Sequence, residues 1–313
     1  MKIAVIGATL IDLVSYVDTM PEYGSTTTAK SFHIACGGKG ANQAIAASRL
    51  GADVLMVSAV GNDIFGKMAR ENFICNNIDT RHVITAENMT SGVAVILVET
   101  CGQYRSVFYR GTSDALTPEK FFNAANDLKK CGMFVIQLEI PLETVYTAID
   151  FAAANKIPVV LNPSPINKKF SADMACKCKF AIVNEIELNV LTNMPVDTEE
   201  NILAAGEYLL SRGLKNLIVT RGADGSIWLA NDKTEFIPTL KVDAIDSTGA
   251  GDAYIGCFVE TYARTGKILE SIQRASKYAA LSVTRKGTQD SYLTAKEFEQ
   301  LLHEQSRNPR AHK

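Results

Sequence analysis

Short apolar runs alternate along the chain with longer segments in which apolar residues recur at helical spacing. The short runs, rich in Val and Ile, predict buried strands at residues 2–7, 53–60, 133–138, 159–162, 181–184 and 216–220. The longer segments predict helices at residues 64–76, 142–155, 198–212 and 267–283. This alternation indicates an α/β fold with a mainly parallel sheet covered by helices.

Two segments break the alternation. Residues 15–35 and 91–109 are rich in Thr, Val, Ile, Tyr and Phe without helical period, so they predict strands of a separate small sheet. We expect this sheet to be a lid, the alternative being extra edge strands of the main sheet. The expected division is an α/β domain of residues 1–14, 36–90 and 110–305, a β lid of residues 15–35 and 91–109, and a tail of residues 306–313.

The charge, the cysteine content and the first apolar run indicate which partners and which compartment to expect. The 32 basic and 34 acidic residues include no long basic block, so neither nucleic acid nor a membrane surface is expected as a partner. The seven cysteines show no C-x-x-C spacing, which favours reduced thiols in the cytoplasm. The first apolar run is too short for a signal peptide or a spanning helix, so a soluble protein is expected.

The segment DSTGAGD (residues 246–252), followed by an apolar run, carries the strongest chemical signal. Small residues ahead of a predicted helix leave backbone amides free to bind an anion such as phosphate. Asp252 stands beside those amides, where a carboxylate is suited to take a proton from an attacking hydroxyl. Taken alone, the segment is also typical of ordinary helix capping.

A second glycine turn, CGGKGAN (residues 36–42), precedes another predicted helix that closes at Gly51. Its glycines allow a ligand to approach the backbone, and Asn42 offers donors and an acceptor to hydroxyl groups. The spacing is neither a Walker A loop nor a dinucleotide fingerprint. The turn therefore suits a sugar.

Together, the two motifs resemble the signatures of the ribokinase (PfkB) family of sugar kinases, in order and in separation. The resemblance extends from Ile3 to about Ser291 and is greatest to bacterial ribokinases and deoxyribokinases. It implies a three-layer α/β/α domain with a small β-sheet lid. It also implies an ATP-dependent enzyme that transfers the γ-phosphoryl group to the primary 5-hydroxyl of D-ribose or 2-deoxy-D-ribose, giving the 5-phosphate. The lid would close over the sugar and mediate homodimer contacts.

The resemblance assigns roles around the sugar. Asp252 would be the catalytic base, and the amides of Gly249, Ala250 and Gly251 would stabilise charge on the moving phosphoryl group. The sugar would contact Asp252 together with Leu10, Asp12, Gly38, Lys39, Gly40, Asn42 and Glu139. For Asp12 and Glu139, capping or solvating a strand end is the alternative.

For the nucleotide, the resemblance implies ATP-binding positions at Asn184, Thr220, Arg221, Gly222, Ala223, Asp224, Gly225, Gly251 and Ser276. Residues 184–187 match an N-x-x-E element in which Glu187 acts on Mg²⁺ through water. On its own, that tetrapeptide is an ordinary helix start.

A monovalent cation, K⁺, is a further expected cofactor of this family. The matching positions are Asp246, Thr248, Ser282, Arg285, Gly287 and Ser291. Asp290 stands where the family often has a proline, a departure that bears on the rigidity of this loop.

One further departure concerns the sugar. Ribokinases usually carry an Asn that faces a sugar hydroxyl at the position of Leu10, and deoxyribokinases resemble this chain in having an apolar residue there. Burying a sugar hydroxyl against Leu10 without a hydrogen bond would cost about 1–3 kcal/mol of binding free energy, so 2-deoxy-D-ribose is expected to be favoured over D-ribose. The alternative is that Leu10 turns into the core and ribose binds through Asp12 and Asn42.

Other functions remain open from the sequence. A nucleoside or hexose kinase of the same family would share the phosphate chemistry and differ in the pocket and the lid. A non-catalytic sugar sensor would be expected to lack the acid at position 252, which this chain retains. An oxidoreductase would need a glycine fingerprint after the first strand, and residues 7–12 do not supply it.

Overall fold

A nine-stranded sheet forms the centre of the structure, a computed structural model that describes residues 1–101 and 103–307. The strands of the chain are β1 (Lys2–Ile6), β2 (Leu10–Val17), β3 (Ser31–Gly37), β4 (Asp53–Gly61), β5 (Asp79–Ala86), β6 (Gly92–Glu99), β7 (Tyr104–Tyr109), β8 (Met133–Ile136), β9 (Val159–Leu161), β10 (Phe180–Asn184), β11 (Leu217–Thr220), β12 (Ser226–Ala230) and β13 (Lys233–Ile237). The order in the main sheet is β13-β12-β11-β10-β9-β8-β1-β4-β5. Within this described sheet, the pairs β11–β12 and β12–β13 are antiparallel and the other pairs are parallel.

Helices cover both faces of the main sheet. They are α1 (Lys39–Arg49), α2 (Ile64–Cys75), α3 (Pro118–Phe122), α4 (Ala125–Leu128), α5 (Leu142–Ala154), α6 (Ala172–Cys176), α7 (Glu185–Thr192), α8 (Glu199–Ser211), α9 (Ala250–Thr265), α10 (Ile268–Ser282) and α11 (Ala295–Arg307). Ile3 and Val5 of β1 pack towards the face that carries α1, α9 and α10, whereas Ala4 and Ile6 pack towards α5. Because side chains alternate along a strand, a strand buried on both faces is apolar throughout, which explains the short apolar runs.

A second, four-stranded sheet has the order β3-β2-β6-β7. Strands β2 and β6 are parallel, and β3 and β7 pair antiparallel on the two outer edges. One face carries Asp12 of β2, and the opposite face carries the row formed by Leu13, Ile34, Val95 and Val107. The small sheet is therefore separate from the main sheet, and it presents two chemically different faces.

The predicted strands and helices of the main layers are present, with ends displaced by one or two residues. The small sheet differs from the expectation in extent, since β2 begins at Leu10 and β3 continues to Gly37. Residues 18–30, expected within lid strands, form no strand, because Pro21 and the turn closed by Ser25 N–H on Glu22 O interrupt the extended chain. Helix α11 includes the start of the expected tail, and residues 308–313 lie outside the described residues.

No helix within residues 1–101 and 103–307 combines the length and the apolar character needed to span a bilayer.

Candidate active site

The predicted site residues converge where the chain order of the main sheet reverses, between β1 and β8. Strand β1 continues to β4 on one side, whereas β8 continues to β9, β10 and β11 on the other. In open α/β sheets such a point leaves a crevice beyond the carboxyl ends of the strands. Glu139, Asn162 and Asn184 follow or end β8, β9 and β10 at this edge.

Helix α1 begins in this crevice at the early glycine turn. Gly38 is the residue before the helix and adopts φ 90°, and a Cβ there would lie 2.9 Å from both Ala8 O and Leu10 N. A residue with a side chain would be strained at this position. The first amide of the helix, Lys39 N–H, donates to Glu139 Oε2 at 2.7 Å. This contact joins the helix start to the loop after β8.

Helix α9 begins at the second glycine turn. Gly249 precedes the helix with φ 77°, and Asp252 lies in the first turn. Within the described chain, the amides of Gly249 and Gly251 make no hydrogen bond, whereas Ala250 N–H donates to Ser247 O at 3.2 Å. Two of the three amides expected to bind the phosphoryl group are thus free, and the third would have to exchange its turn hydrogen bond for the ligand.

Close packing of α1 against α9 brings the two glycine motifs together. A Cβ on Gly256 of α9 would lie 2.4 Å from Ala46 Cβ and 2.9 Å from Gln43 O, so the glycine allows this approach. Across the contact, Asn42 Nδ2 donates to Asp252 Oδ2 at 2.9 Å, and Gln43 Nε2 donates to Asp252 Oδ1 at 2.9 Å. Asp252, the predicted base, is 6% exposed. Its carboxylate is therefore held at the shared end of both helices.

An inner cavity of about 190 Å³ opens beside this carboxylate. Its lining consists of Lys39, Asn162, Ile182, Val183, Asn184, Glu187, Thr220, Ser247, Gly249, Ala250, Gly251, Asp252 and Ile255. Residues from both glycine motifs and from the ends of β9, β10 and β11 thus surround one space. A carboxylate, free helix-terminal amides and a lysine around one space can bind an anion and accept a proton beside it.

An outer cavity of about 540 Å³ adjoins the inner one and shares Thr220, Ser247, Ala250 and Gly251 with it. Of the predicted ATP-binding residues, it is lined by Thr220, Gly222, Ala223, Asp224, Gly225, Gly251 and Ser276. Arg221 lies elsewhere, since its guanidinium pairs with Glu185 at 3.4 Å and Glu199 at 3.5 Å. Seven of the nine predicted ATP-binding positions therefore line this cavity, and Arg221 does not.

Asn184 and Glu187 form a reciprocal cap at the start of α7. Asn184 Oδ1 accepts from Glu187 N at 2.8 Å, and Glu187 Oε2 accepts from Asn184 N at 3.0 Å. Asn162 Nδ2 also donates to Glu187 Oε2 at 3.4 Å. Among residues 1–101 and 103–307, no group of three or more His, Cys, Asp or Glu side chains could hold a metal. A divalent ion beside Glu187 would therefore depend on water and on the phosphates of a ligand.

Two further acids adjoin the base and hold their protons more tightly than usual. Burial raises the pKa of Glu139 to about 7, although the Lys39 ammonium and amide lower it in part. Burial, together with the charge of Asp252, raises the pKa of Asp12 to about 6. Burial lowers the pKa of Lys39, but the carboxylates of Asp252, Glu139 and Glu187 outweigh this, and its pKa lies above the usual value.

The remaining predicted sugar residues lie on β2 and at the start of α1. The Asp12 carboxylate faces Gly37, where a Cβ would approach Oδ2 to 2.4 Å. Gly40 packs against Gly7. Leu10 shares the face of Asp12 but is 4% exposed, belongs to the hydrophobic cluster that includes Ala8, and has its Cδ2 against Gly92. Leu10 lines neither the inner nor the outer cavity.

Among the predicted cation positions, Thr248 and Gly287 are held by hydrogen bonds to Asp246. Its Oδ1 accepts from Thr248 N and its Oδ2 accepts from Gly287 N, both at 2.9 Å. Burial raises the pKa of Asp246, but these backbone hydrogen bonds outweigh it and hold the pKa below the usual value. Asp246 N–H also donates to Val283 O, and Arg285 N–H to Ser282 O, so the two loops meet. Ser291 Oγ is used locally, since it donates to Thr288 O at 2.7 Å.

Four amide side chains of the site were missed by sequence reasoning: Gln43, Gln137, Asn162 and Gln289. Gln43 and Gln137 bond each other, Asn162 bonds Gln43, and Gln289 bonds Asn42. Asn162 ends a predicted strand just as Asn184 does, so the same rule could have found it. No signal in the sequence places Gln289 beside Asn42.

Known proteins match the chain along nearly its whole length. The profile of pfkB family carbohydrate kinases matches residues 1–295. A deoxyribokinase of Salmonella typhi is 44% identical over 302 residues, which is 96% of this chain and 99% of that protein. A ribokinase structure from Thermotoga maritima has a TM-score of 0.87 at 29% identity, covering 96% of this chain and 99% of its own. The structure of Arabidopsis thaliana ribokinase complexed with ribose and ATP has a TM-score of 0.90 at 25% identity, covering 96% and 98%.

A doubly wound sheet that holds free helix-terminal amides beside a carboxylate at its switch point has the geometry of an enzyme of phosphoryl transfer. The chain belongs to the pfkB family of carbohydrate kinases. The resemblance and the three-layer fold expected from the two glycine motifs are confirmed.

Proposed function

We propose that the protein transfers the γ-phosphoryl group of ATP to the 5-hydroxyl of a pentose, with 2-deoxy-D-ribose as the preferred sugar. The observation that carries the proposal is the Asp252 carboxylate, held by Asn42 beside the free amides of Gly249 and Gly251 in the inner cavity. The named relatives, a deoxyribokinase and ribokinases, support the choice of a pentose.

In the proposed reaction, Asp252 takes the proton of the 5-hydroxyl as its oxygen attacks the γ-phosphorus. A bond forms between the sugar oxygen and phosphorus, the bond from phosphorus to the β,γ-bridging oxygen breaks, and ADP leaves. The amides of Gly249 and Gly251 stabilise the charge on the phosphoryl oxygens, and Lys39 supplies a positive charge in the same cavity. General-base catalysis of this kind contributes about 10²–10⁴-fold to the rate.

The nucleotide is proposed to occupy the outer cavity, with its phosphates towards the inner one. Ser276 Oγ is buried in the lining of the outer cavity and has no partner in the described chain, so it is available to the base of the nucleotide. Thr220 lines both cavities and Asn184 lines the inner one, where the phosphates would pass. In this proposed arrangement the γ-phosphate would lie beside Gly249 and Gly251.

Two cations are proposed as cofactors. Glu187 fits Mg²⁺ that is bound through water, because its carboxylate lines the inner cavity and no group of three or more metal-ligating side chains is present among the described residues. When bound with ATP, Mg²⁺ neutralises charge on the phosphates. Asp246 ties residues 246–248 to residues 283–287, and the carbonyls of these loops would hold K⁺.

The preference for 2-deoxy-D-ribose rests on the absence of a hydrogen-bonding side chain at position 10. Leu10 shares a sheet face with Asp12, two residues along β2, so the surface around it is apolar where a ribokinase-type Asn would be polar. The core packing of Leu10 leaves the alternative open, in which ribose binds through Asp12 and Asn42. The 44% identity to a deoxyribokinase favours the first reading.

The lid is proposed to form a homodimer through its outer face, defined as Leu13, Phe32, Ile34, Val95 and Val107. Apolar side chains are exposed there, including Phe32 at 58% and Val107 at 72%. The opposite face carries Asp12 and would cover the sugar. All seven cysteines are free thiols, in keeping with a reducing compartment, which we propose is the cytoplasm.

An ADP-release assay with ATP and Mg²⁺ over pentoses, hexoses and nucleosides, with and without K⁺, tests the proposal. We expect the highest kcat/KM with 2-deoxy-D-ribose, and for Leu10→Asn a shift towards D-ribose. A wild-type preference for ribose above about tenfold would overturn the deoxyribose choice. Activity confined to nucleosides or hexoses would replace the pentose, and activity on no sugar would favour a sensor.

A further inference from the structure

The carboxylate of Asp252 is gripped at both oxygens by neighbouring residues of α1. Gln43 Nε2 donates to Oδ1 and Asn42 Nδ2 donates to Oδ2, each at 2.9 Å. The exposed fractions are 1% for Gln43, 6% for Asn42 and 6% for Asp252. Two buried donors on opposite oxygens fix the plane of a carboxylate, whereas a single donor leaves it free to rotate.

Each of these amides is itself held by a further amide. Gln137 Nε2 donates to Gln43 Oε1 at 2.6 Å, and Gln289 Nε2 donates to Asn42 Oδ1 at 2.9 Å. A carboxylate only accepts hydrogen bonds, so the NH₂ group of each inner amide must face Asp252 and its oxygen must face outwards. The outer amides occupy those oxygens. We refer to Gln43, Asn42, Gln137 and Gln289 as the amide clamp.

Gln137 adopts this orientation although one of its polar atoms is left without a hydrogen bond in the described chain. Its side chain is fully buried, and its Oε1 has no hydrogen-bond partner within the described chain. That oxygen faces Gly7, where a Cβ would come within 2.0 Å of it. A buried acceptor without a donor costs about 1–3 kcal/mol. The arrangement nevertheless directs the Gln137 NH₂ group at Gln43.

We propose that Gln43, held by Gln137, is a positioning residue that fixes the Asp252 carboxylate for proton abstraction. The inference rests on the proposed kinase function. With both oxygens engaged on the α1 side, the remaining lone pairs point into the inner cavity, where the 5-hydroxyl would lie. Small errors in the position of a reacting group are costly, so the clamp acts on the chemical step rather than on binding.

The test compares kcat with the binding of both substrates in Gln43→Met, which keeps the length and volume of the side chain but removes its amide. We expect kcat to fall about 10–100-fold while KM for the sugar and Kd for ATP stay within about threefold. In Gln137→Met, Gln43 is retained but loses the hydrogen bond that Gln137 donates to it. We therefore expect kcat to fall about fivefold, again with KM for the sugar unchanged. If Gln137 acts through Gln43, the double variant loses no more kcat than Gln43→Met alone.

Asn216→Leu is the matched control. Asn216 is a buried amide just before β11, at the end of that strand away from the cavities. It accepts a hydrogen bond from Trp228 Nε1 at 3.1 Å and donates to Lys179 O at 3.2 Å. We expect a lower Tm with unchanged kcat. A kcat equal to that of the wild type in Gln43→Met would overturn the proposal. If Gln43→Met does not fold, an unchanged kcat in Gln137→Met would overturn it. Independent, additive losses in the double variant would overturn the relay through Gln43. Absence of sugar phosphorylation by the wild type would instead refute the proposed function.

Discussion

Asn42 and Asp252 lie 210 residues apart in the chain, and a 2.9 Å hydrogen bond joins Asn42 Nδ2 to Asp252 Oδ2. Each residue belongs to one of the two glycine motifs, and each lies in the first turn of its helix. The contact makes the two motifs parts of one site. It also means that the proposed sugar ligand and the proposed base are positioned together.

Replacement of the base should abolish most of the turnover. We expect Asp252→Asn to lower kcat by about 10²–10⁴-fold, because the neutral amide cannot accept the hydroxyl proton. KM for the sugar should change much less, since the pocket keeps Asp12 and Glu139. Steady-state ADP release measures both. Asp232→Asn, in the exposed turn between β12 and β13, is the control, and a similar loss there would argue against a specific role for Asp252.

The efficiency of the enzyme should rise with pH. Asp12, with a pKa of about 6, and Glu139, with a pKa of about 7, accept stronger hydrogen bonds from sugar hydroxyls once they have lost their protons. We expect kcat/KM for the sugar to increase from pH 5.5 to pH 8. In Glu139→Gln, the part of this increase that occurs near pH 7 should be absent. A flat wild-type profile over this range would contradict the assignment of these acids to the sugar pocket.

The raised pKa of Asp12 should also make the free protein less stable at neutral pH. A carboxyl whose pKa is higher in the folded state than its usual 3.8 stabilises the fold below that value, and the contribution is lost as pH rises through about 6. Asp12→Asn does not titrate. We therefore expect it to be more stable than wild type at pH 8, by about 1–3 kcal/mol after allowing for partial solvent access, with no gain below pH 4. Denaturant unfolding without sugar measures this difference, and an equal gain at both pH values would exclude titration as its cause.

Contact between α1 and α9 should be sensitive to one methyl group. Gly256→Ala places a Cβ against Ala46 and the backbone of α1, which should cost about 1–3 kcal/mol and shift Asn42 away from Asp252. We expect both Tm and kcat to fall. Gly206→Ala is the matched helical control, because its Cβ meets only the methyl ends of Leu229 and Leu217, which can move. Equal effects of the two substitutions would refute the importance of the α1–α9 approach.

The outer face of the lid should determine the oligomeric state. Val107→Asp places a charge at the β7 end of the exposed apolar row, where burial against a second copy would leave it unpaired. We expect sedimentation velocity to show a dimer for wild type and a monomer for the variant. Lys67→Asp, on the exposed surface of α2, is the control and should leave the dimer intact. A monomeric wild type would refute the proposed lid dimer.

Much of the fold was predictable because its causes are local. Fully apolar runs such as that of β1 indicate strands buried on both faces, and glycine turns such as that at Gly38 mark helix starts where a side chain would be strained. The limits of the small sheet were less predictable. Residues 10–14 belong to a strand of the lid because they pair with β3 and β6, which are distant in the chain.

By itself the sequence determined the two motifs, the acid at the end of the second one and the alternation of strands and helices, since each depends on residues adjacent in the chain. Tertiary structure alone decided what those residues touch. The pairing of Arg221 with acids outside the outer cavity, the burial of Leu10 and the approach of Gln137 and Gln289 to the two amides that hold Asp252 all depend on contacts between distant segments. Such contacts follow from how helices pack on a sheet, and no periodicity within a single segment records them.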